Sequence, residues 1–153
     1  MEDTVLKIEN LKIGIKNKKK ISYPVENVNF EIKKGETFAL VGESGSGKSM
    51  TALSVMGLLK SWNSYLDVEI SGSIRFISRD KICYELTKLN EKEYDKIRGN
   101  DISMIFQEPL TALNPVISVG KQITEILLTH KKMTHKEAEK RAVELLKQVE
   151  IPN

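Results

Sequence analysis

The feature that most limits what this chain can fold into is the stretch Gly42-Glu43-Ser44-Gly45-Ser46-Gly47-Lys48-Ser49, which fits the phosphate-binding pattern G-x-x-x-x-G-K-[ST] at every fixed position. Glycines reach backbone angles closed to other residues, so such a loop can wrap closely around an anion with its N–H groups turned inward. Lys48 supplies a mobile positive charge for the β- and γ-phosphates of a nucleotide. The Ser49 hydroxyl is a ligand for the Mg²⁺ that bridges those same oxygens. Met50 follows them in the first turn of a helix predicted over Lys48–Leu59, whose N-terminal end adds to the attraction for phosphate. Upstream, Thr37-Phe38-Ala39-Leu40-Val41 is an apolar run after the turn Lys34-Gly35-Glu36, and its length predicts a buried parallel strand. A structural Gly/Ser loop would not require that strand before it and that helix after it, so the stretch reads as a nucleotide-phosphate site in an α/β chain.

Length and composition agree with this. At 153 residues, 40% hydrophobic and 29% charged, the chain suits one globular domain with a core, and disorder is not expected. No apolar run reaches the roughly 20 residues that span a bilayer, and Met1-Glu2-Asp3-Thr4 lacks the build of a signal peptide, so a cytoplasmic location is expected. Cys83 is the single cysteine; it reads as a small packed residue in a reducing compartment, with no metal or disulfide role. The net charge is +3, with Lys16, Lys18, Lys19 and Lys20 crowded together. No aromatic residues interleave with them, so they read as a solvated hairpin loop, and nucleic acid is not expected as a partner.

Along the chain, Val5–Ile15 and Val25–Ile32 alternate apolar with polar residues and predict an antiparallel β-layer beside the parallel core. Tyr23, before Pro24, is a candidate to stack on an adenine ring, although edge packing is the commoner role of such a tyrosine. Ser61-Trp62-Asn63-Ser64 is a polar break with Trp62 as a packing residue, and Val68–Ile77 predicts two short strands meeting near Gly72. Asn90–Arg98 predicts a short charged helix, capped by Asn90 with Glu93 three positions on, serving as an exposed connector. Ile102-Ser103-Met104-Ile105-Phe106 predicts a second parallel strand, delivering Gln107 at its carboxyl end, where ligands of open parallel sheets bind. Pro109 and Pro115 shape the loop that follows. Two helices close the chain, one with Val119, Ile123, Ile126 and Leu127 on a face and ending near His130. The other is opened by the capping box Thr134–Glu137 and carries Ala138, Ala142, Leu145, Leu146 and Val149. His130 and His135 lack neighbours at metal-ligand spacing and read as solvated.

Taken together, Val41–Ser49, Ile97-Arg98-Gly99, Ile102–Pro109 and Leu113-Asn114-Pro115 resemble the ATP-binding subunits of ABC transporters, and within them the dipeptide/oligopeptide (and nickel) importer class. The resemblance runs over essentially the whole chain, and the Phe-Gln-Glu-Pro segment leading to Leu-Asn-Pro is its specific part. It implies a P-loop NTPase with a RecA-like core and an antiparallel β-layer over residues 1–110, followed by the start of a helical subdomain over 111–153. It also implies that Gln107 is the Q-loop glutamine, which senses Mg²⁺ and the attacking water while its flanking loop contacts the membrane permease subunits. Lys48 and Gln107 are then the residues closest to the chemistry. The cofactors implied are ATP and Mg²⁺, the partners a second ATP-binding subunit and the permease, and the location the inner face of the cell membrane.

The sequence departs from the family after Gln107: it has no Leu-Ser-Gly-Gly-Gln-like signature, no apolar strand ending in Asp-Glu, and no switch histidine. The resemblance therefore implies an N-terminal portion with the C-terminal half of the domain absent, which would leave Phe38, Leu40 and Val41 beside an unpaired sheet edge. Two other readings stay open at this point. One is a non-transport ABC-superfamily ATPase acting on nucleic acid or translation, the other a nucleotide-binding fragment without turnover of its own. A GTPase is disfavoured by the lack of an N-K-x-D-like segment. Phosphoryl transfer depends on positioned charge, so the chain alone is expected not to hydrolyse ATP at a normal rate; a phosphate-release assay within about tenfold of the ~1–100 s⁻¹ of typical phosphoryl-transfer enzymes would contradict this.

Overall fold

Alternating apolar residues and a dense run of β-branched side chains make strands of both halves of an N-terminal hairpin. In the computed structural model, which describes residues 3–17, 20–59, 67–107 and 113–151, β1 spans Thr4–Asn17 and β2 spans Lys20–Lys33. They pair antiparallel from Thr4 opposite Lys33 to Asn17 opposite Lys20. Lys18, Lys19, Trp62 and residues 108–112 lie outside the described residues, and with them the tip of the lysine stretch and the Trp62 and Pro109 readings.

β3, Asp67–Ile77, pairs antiparallel with the other side of β1, and the short β4, Cys83–Glu85, pairs with β3, giving the order β2-β1-β3-β4. The sequence predicted two strands meeting at Gly72; one strand runs through it. Gly72 has φ +95, and a Cβ there would overlap the Asn10 carbonyl, so the strand bends at glycine without ending. The register against β1 shifts at this point, between Glu9 and Lys12. Across β1 the same bulge is tied by asparagines. Asn10 (φ +51) donates its amide to Asn29 Oδ1 at 2.8 Å, and Asn29 Nδ2 donates to the Asn27 carbonyl at 2.9 Å. The bulge has a packing consequence. Ile8 and Leu11, three apart, would face opposite sides of a regular strand, yet both are fully buried, as is Ile13. With Ile74 and Phe76 of β3 and Val25 of β2 they form the core of this layer. Burying each large aliphatic side chain contributes on the order of 1.5–3 kcal/mol.

The helix after the phosphate-binding loop, α1, spans Lys48–Val55, shorter than the predicted Lys48–Leu59. Gly57 (φ +65) stops it: its N–H donates to the Ser54 carbonyl and that of Leu58 to the Leu53 carbonyl, the paired bonds of a Schellman end. After β4, a 3-10 turn over Leu86–Lys88 leads to α2, Glu91–Ile97. Asn90 and Glu93 form the predicted capping box. This helix is no exposed connector, because Tyr94 and Ile97 are buried. Cys83 is exposed on the edge strand β4 and is not the packed residue that its type suggested.

Neither predicted parallel strand forms. Residues 36–43 and 103–107 carry no strand, and only β1 to β4 make up the sheet among the described residues. Val41 is 88% and Ile105 90% exposed, and Phe38 and Leu40 are exposed as well. The physical reason is that a strand is defined by its hydrogen-bonding neighbour, which an apolar run cannot supply for itself. Phe38 instead stacks on Phe30 of β2, ring centroids 4.7 Å apart.

The described chain divides into two compact units, Met1–Asp101 and Ile102–Asn153. The second holds α3, Val119–His130, and α4, His135–Gln148, at the predicted positions. Gln122 fastens the start of α3: its side chain accepts from the Asn114 amide and donates to the carbonyls of Asn114 and Ile117, at 3.0, 3.0 and 2.8 Å. The Thr134–Glu137 capping box opens α4, and the Thr134 amide and hydroxyl hold the Glu137 carboxyl below its usual pKa. Ala138 and Ala142 are buried.

If Gly72 serves the bulge as described, Gly72→Ala will destabilise the first unit by about 2–4 kcal/mol, from a strained φ and backbone overlap. Urea denaturation followed by circular dichroism measures it, and an unchanged midpoint would contradict the role.

Candidate phosphate-binding site

The loop Gly42–Ser49 has the geometry its sequence demands. Gly45 (φ +81) and Gly47 (φ +85) adopt left-handed angles, and Ser46 N–H closes the loop on the Glu43 carbonyl at 3.2 Å. A Cβ at Gly45 would meet nothing within 4 Å, so the backbone there borders open space. A Cβ at Gly47 would stand 2.6 Å from the Pro24 carbonyl and from Val25, because the loop is pressed against β2. Gly47 also caps α1, and its carbonyl accepts from the Thr51 amide at 2.9 Å and hydroxyl at 3.0 Å.

Lys48 folds back across the loop. Its Nζ donates to the carbonyls of Gly42 (2.7 Å) and Glu43 (2.6 Å) and lies 3.3 Å from Ser46 Oγ. The ammonium is thereby fixed at the mouth of a loop with open space and no acidic residue in the first turn of α1. Helix end and cation together attract an anion. Ser44 and Ser49 are exposed and Met50 half-buried.

Tyr23 is exposed, with Lys12 Nζ 3.7 Å from its ring centroid, and Lys12 is held by Glu26 at 2.7 Å. Gly14 makes room for the ring; a Cβ there would stand 3.1 Å from Tyr23 Cε1. Through Pro24, Tyr23 is joined to the residues that touch Gly47. Gln107, exposed, belongs to the second unit. That unit also has a groove of about 910 Å³ between α3 and α4, lined by Ile117, Leu128, Val143 and Leu146 among others. It has no glycine loop to cradle phosphate.

The far end of α1 is held by groups that sequence reasoning missed. Arg98 donates from Nε to the Met56 carbonyl (2.8 Å), from Nη2 to the Gly57 carbonyl (3.2 Å) and from Nη1 to Glu91 (2.8 Å), and its guanidinium lies 4.4 Å from the Tyr94 ring centroid. A Cβ at Gly57 would overlap the Tyr94 ring, so glycine is required there both by φ and by space. Tyr94 Oη in turn donates to the Leu86 carbonyl at 2.9 Å. Gly57 followed by Leu58 is a readable helix stop, but Arg98 finds partners 41 and 42 residues away, for which a single sequence gives no signal.

A family model described as ABC transporter matches residues 25–153. The chain is 53% identical over 146 residues to the oligopeptide transport ATP-binding protein AppD of Bacillus subtilis, covering 95% of this chain and 42% of that protein. It is 45% identical to the dipeptide transport ATP-binding protein DppD of the same organism, covering 99% of this chain and 43% of that protein. The chain thus spans less than half the length of these relatives. The solved structure of the ATP-binding cassette MJ0796, a dimer in a post-hydrolysis state bound to ADP and Pi, matches with a TM-score of 0.68 at 28% identity, over 95% of this chain and 57% of that one. The α/β P-loop NTPase fold follows from that likeness together with the loop.

Burial pushes the Tyr94 phenol from 10.0 up to about 12. A group whose pKa is raised on folding contributes stability that is complete below its unfolded pKa and lost as pH rises through the folded one. Stability is therefore expected to fall between about pH 10 and pH 12, and less so in Tyr94→Phe, as followed by urea denaturation at stepped pH; equal slopes for both proteins would refute the assignment.

Proposed function

The chain belongs to the ABC transporter family, and we propose that it is the nucleotide-binding part of an ATP-binding subunit that drives peptide or oligopeptide uptake across a membrane. The observation that carries this reading is the Lys48 ammonium, fixed on the Gly42 and Glu43 carbonyls at the open mouth of a glycine loop that caps α1. The names of the relatives, oligopeptide and dipeptide transport ATP-binding proteins, supply the substrate class.

In this reading the amides of Glu43, Ser44, Gly45 and Gly47 surround the β- and γ-phosphates, with Ser46 closing the loop on Glu43 and Gly42 giving the close approach, and Lys48 neutralises their charge. The left-handed glycines and the open space beside Gly45 fit such an anion. Ser49 offers a neutral oxygen ligand, which suits Mg²⁺, and the ion would add charge neutralisation at the same phosphate oxygens. Met50 backs the loop from the first turn of α1. Tyr23 offers a ring to the adenine, on the strand that abuts Gly47. The unit Met1–Asp101 carries the nucleotide-binding loop, and the unit Ile102–Asn153 opens a helical subdomain. The partners are a second ATP-binding subunit, as in the dimeric MJ0796 cassette, and permease subunits that meet the segment around Gln107. The protein works in the cytoplasm at the inner face of the membrane; no helix among the described residues is long and apolar enough to cross it.

Calorimetric titration of the chain with Mg-ATP tests the site. Saturable binding that weakens at least about tenfold in Lys48→Ala, a loss of about 1.4 kcal/mol or more, is the expected result. Equal binding by both proteins, or none by the unaltered chain, would overturn the reading.

A further inference from the structure

α1 is only Lys48–Val55, about two turns, and a helix that short does not hold itself together in water. Its shape has to come from what grips its ends. At the N-terminal end, Gly47 is wedged against the Pro24 carbonyl of β2, and Thr51 returns both its amide and its hydroxyl to the Gly47 carbonyl. At the C-terminal end, the carbonyls of Met56 and Gly57 are both taken by Arg98, whose side chain is only 19% exposed and is steadied by Glu91 and the Tyr94 ring. Arg98 is the residue at which α2 ends. The helix is thus a strut fixed between β2 and α2.

We propose that Arg98 is a positioning residue for the phosphate-binding loop: by pinning the far end of α1 to α2 it keeps the loop amides and Lys48 in the shape that wraps an anion. The inference rests on the nucleotide-binding reading for its purpose but not for its mechanics. The hydrogen bonds, ion pair and ring contact of Arg98 go to Met56, Gly57, Glu91 and Tyr94, all outside the loop, so its effect has to travel through α1, about 12 Å at 1.5 Å per residue. Distance separates this role from ordinary helix capping. A cation at a helix C-terminus acts within the last turn, so a mere cap would be felt at Met56 to Leu58 and no further.

Amide hydrogen exchange of the full chain, without nucleotide, reads the difference. In Arg98→Ala the Ser46 and Thr51 amides are expected to lose protection by about tenfold, while amides of the β1–β2 ladder keep theirs and Arg98→Lys recovers part of the loss. A change confined to Met56–Leu58 would overturn the proposal. Should Arg98→Ala fail to fold, Glu91→Gln frees the guanidinium on one side only and is expected to give a smaller loss at the same two amides; no change at Ser46 would again overturn it. Mg-ATP titration then shows the consequence, with affinity in Arg98→Ala weakened about five- to tenfold at a temperature where circular dichroism matches the parent. Failure of the unaltered chain to bind Mg-ATP would sink the nucleotide reading and leave the exchange result to decide the positioning role.

Discussion

Backbone amides and carbonyls need partners, and in the first unit β1 provides them. It is paired along most of its length to β2 on one side and β3 on the other, and its Ile8, Leu11 and Ile13 are fully buried. What finds a partner in the sheet built on β1 is ordered into strand; two apolar segments that find none are not. Thr37–Val41 and Ile102–Phe106 have the composition of buried strands and the exposure of loops. Unmatched peptide groups stay with water, because burying them without partners costs more than their apolar side chains recover.

The phosphate-binding loop obeys the same accounting at closer range. The first amides of α1 have no helical carbonyl before them, while the loop's carbonyls at Gly42 and Glu43 are taken by Lys48. At the other end of α1 the leftover carbonyls meet Arg98. Two glycines in left-handed conformation, Gly47 and Gly57, bracket the helix, and each is pressed against a neighbour that no side chain could share. A short helix between two such stops has a defined length and a defined axis.

Features with local causes were legible in the sequence. The glycine loop and the capping boxes Asn90–Glu93 and Thr134–Glu137 depend on residues within a few positions of one another, and the N-terminal hairpin and the closing helices on elements that follow each other in the chain. Features caused by distant contacts were not. Strand formation at Thr37–Val41 turns on a neighbour, the burial of Tyr94 on Leu86 and Gly57, and the use of Arg98 on carbonyls more than forty residues back. Gly72 misled for a related reason: a glycine in a strand pattern signals either an end or a bulge, and only the pairing with β1 decides which. Cys83 was read from the habits of its residue type, and its place on an edge strand reversed that. Of the candidate site, the loop was readable residue by residue, whereas the support behind it was invisible.

The asparagine-tied bulge in β1 also bears on how the sheet finds its alignment. A hairpin of alternating residues can slide by two positions and still present its apolar face, so composition alone leaves several registers nearly equal. Here a slide would break the bond between Asn10 and Asn29 and carry the left-handed Asn10 and Asn27 out of step. Both strands lie within the first thirty-three residues, and their pairing closes only short loops. Contacts inside these two strands therefore decide the register, and β3, which pairs with the free side of β1, meets a template that is already in frame.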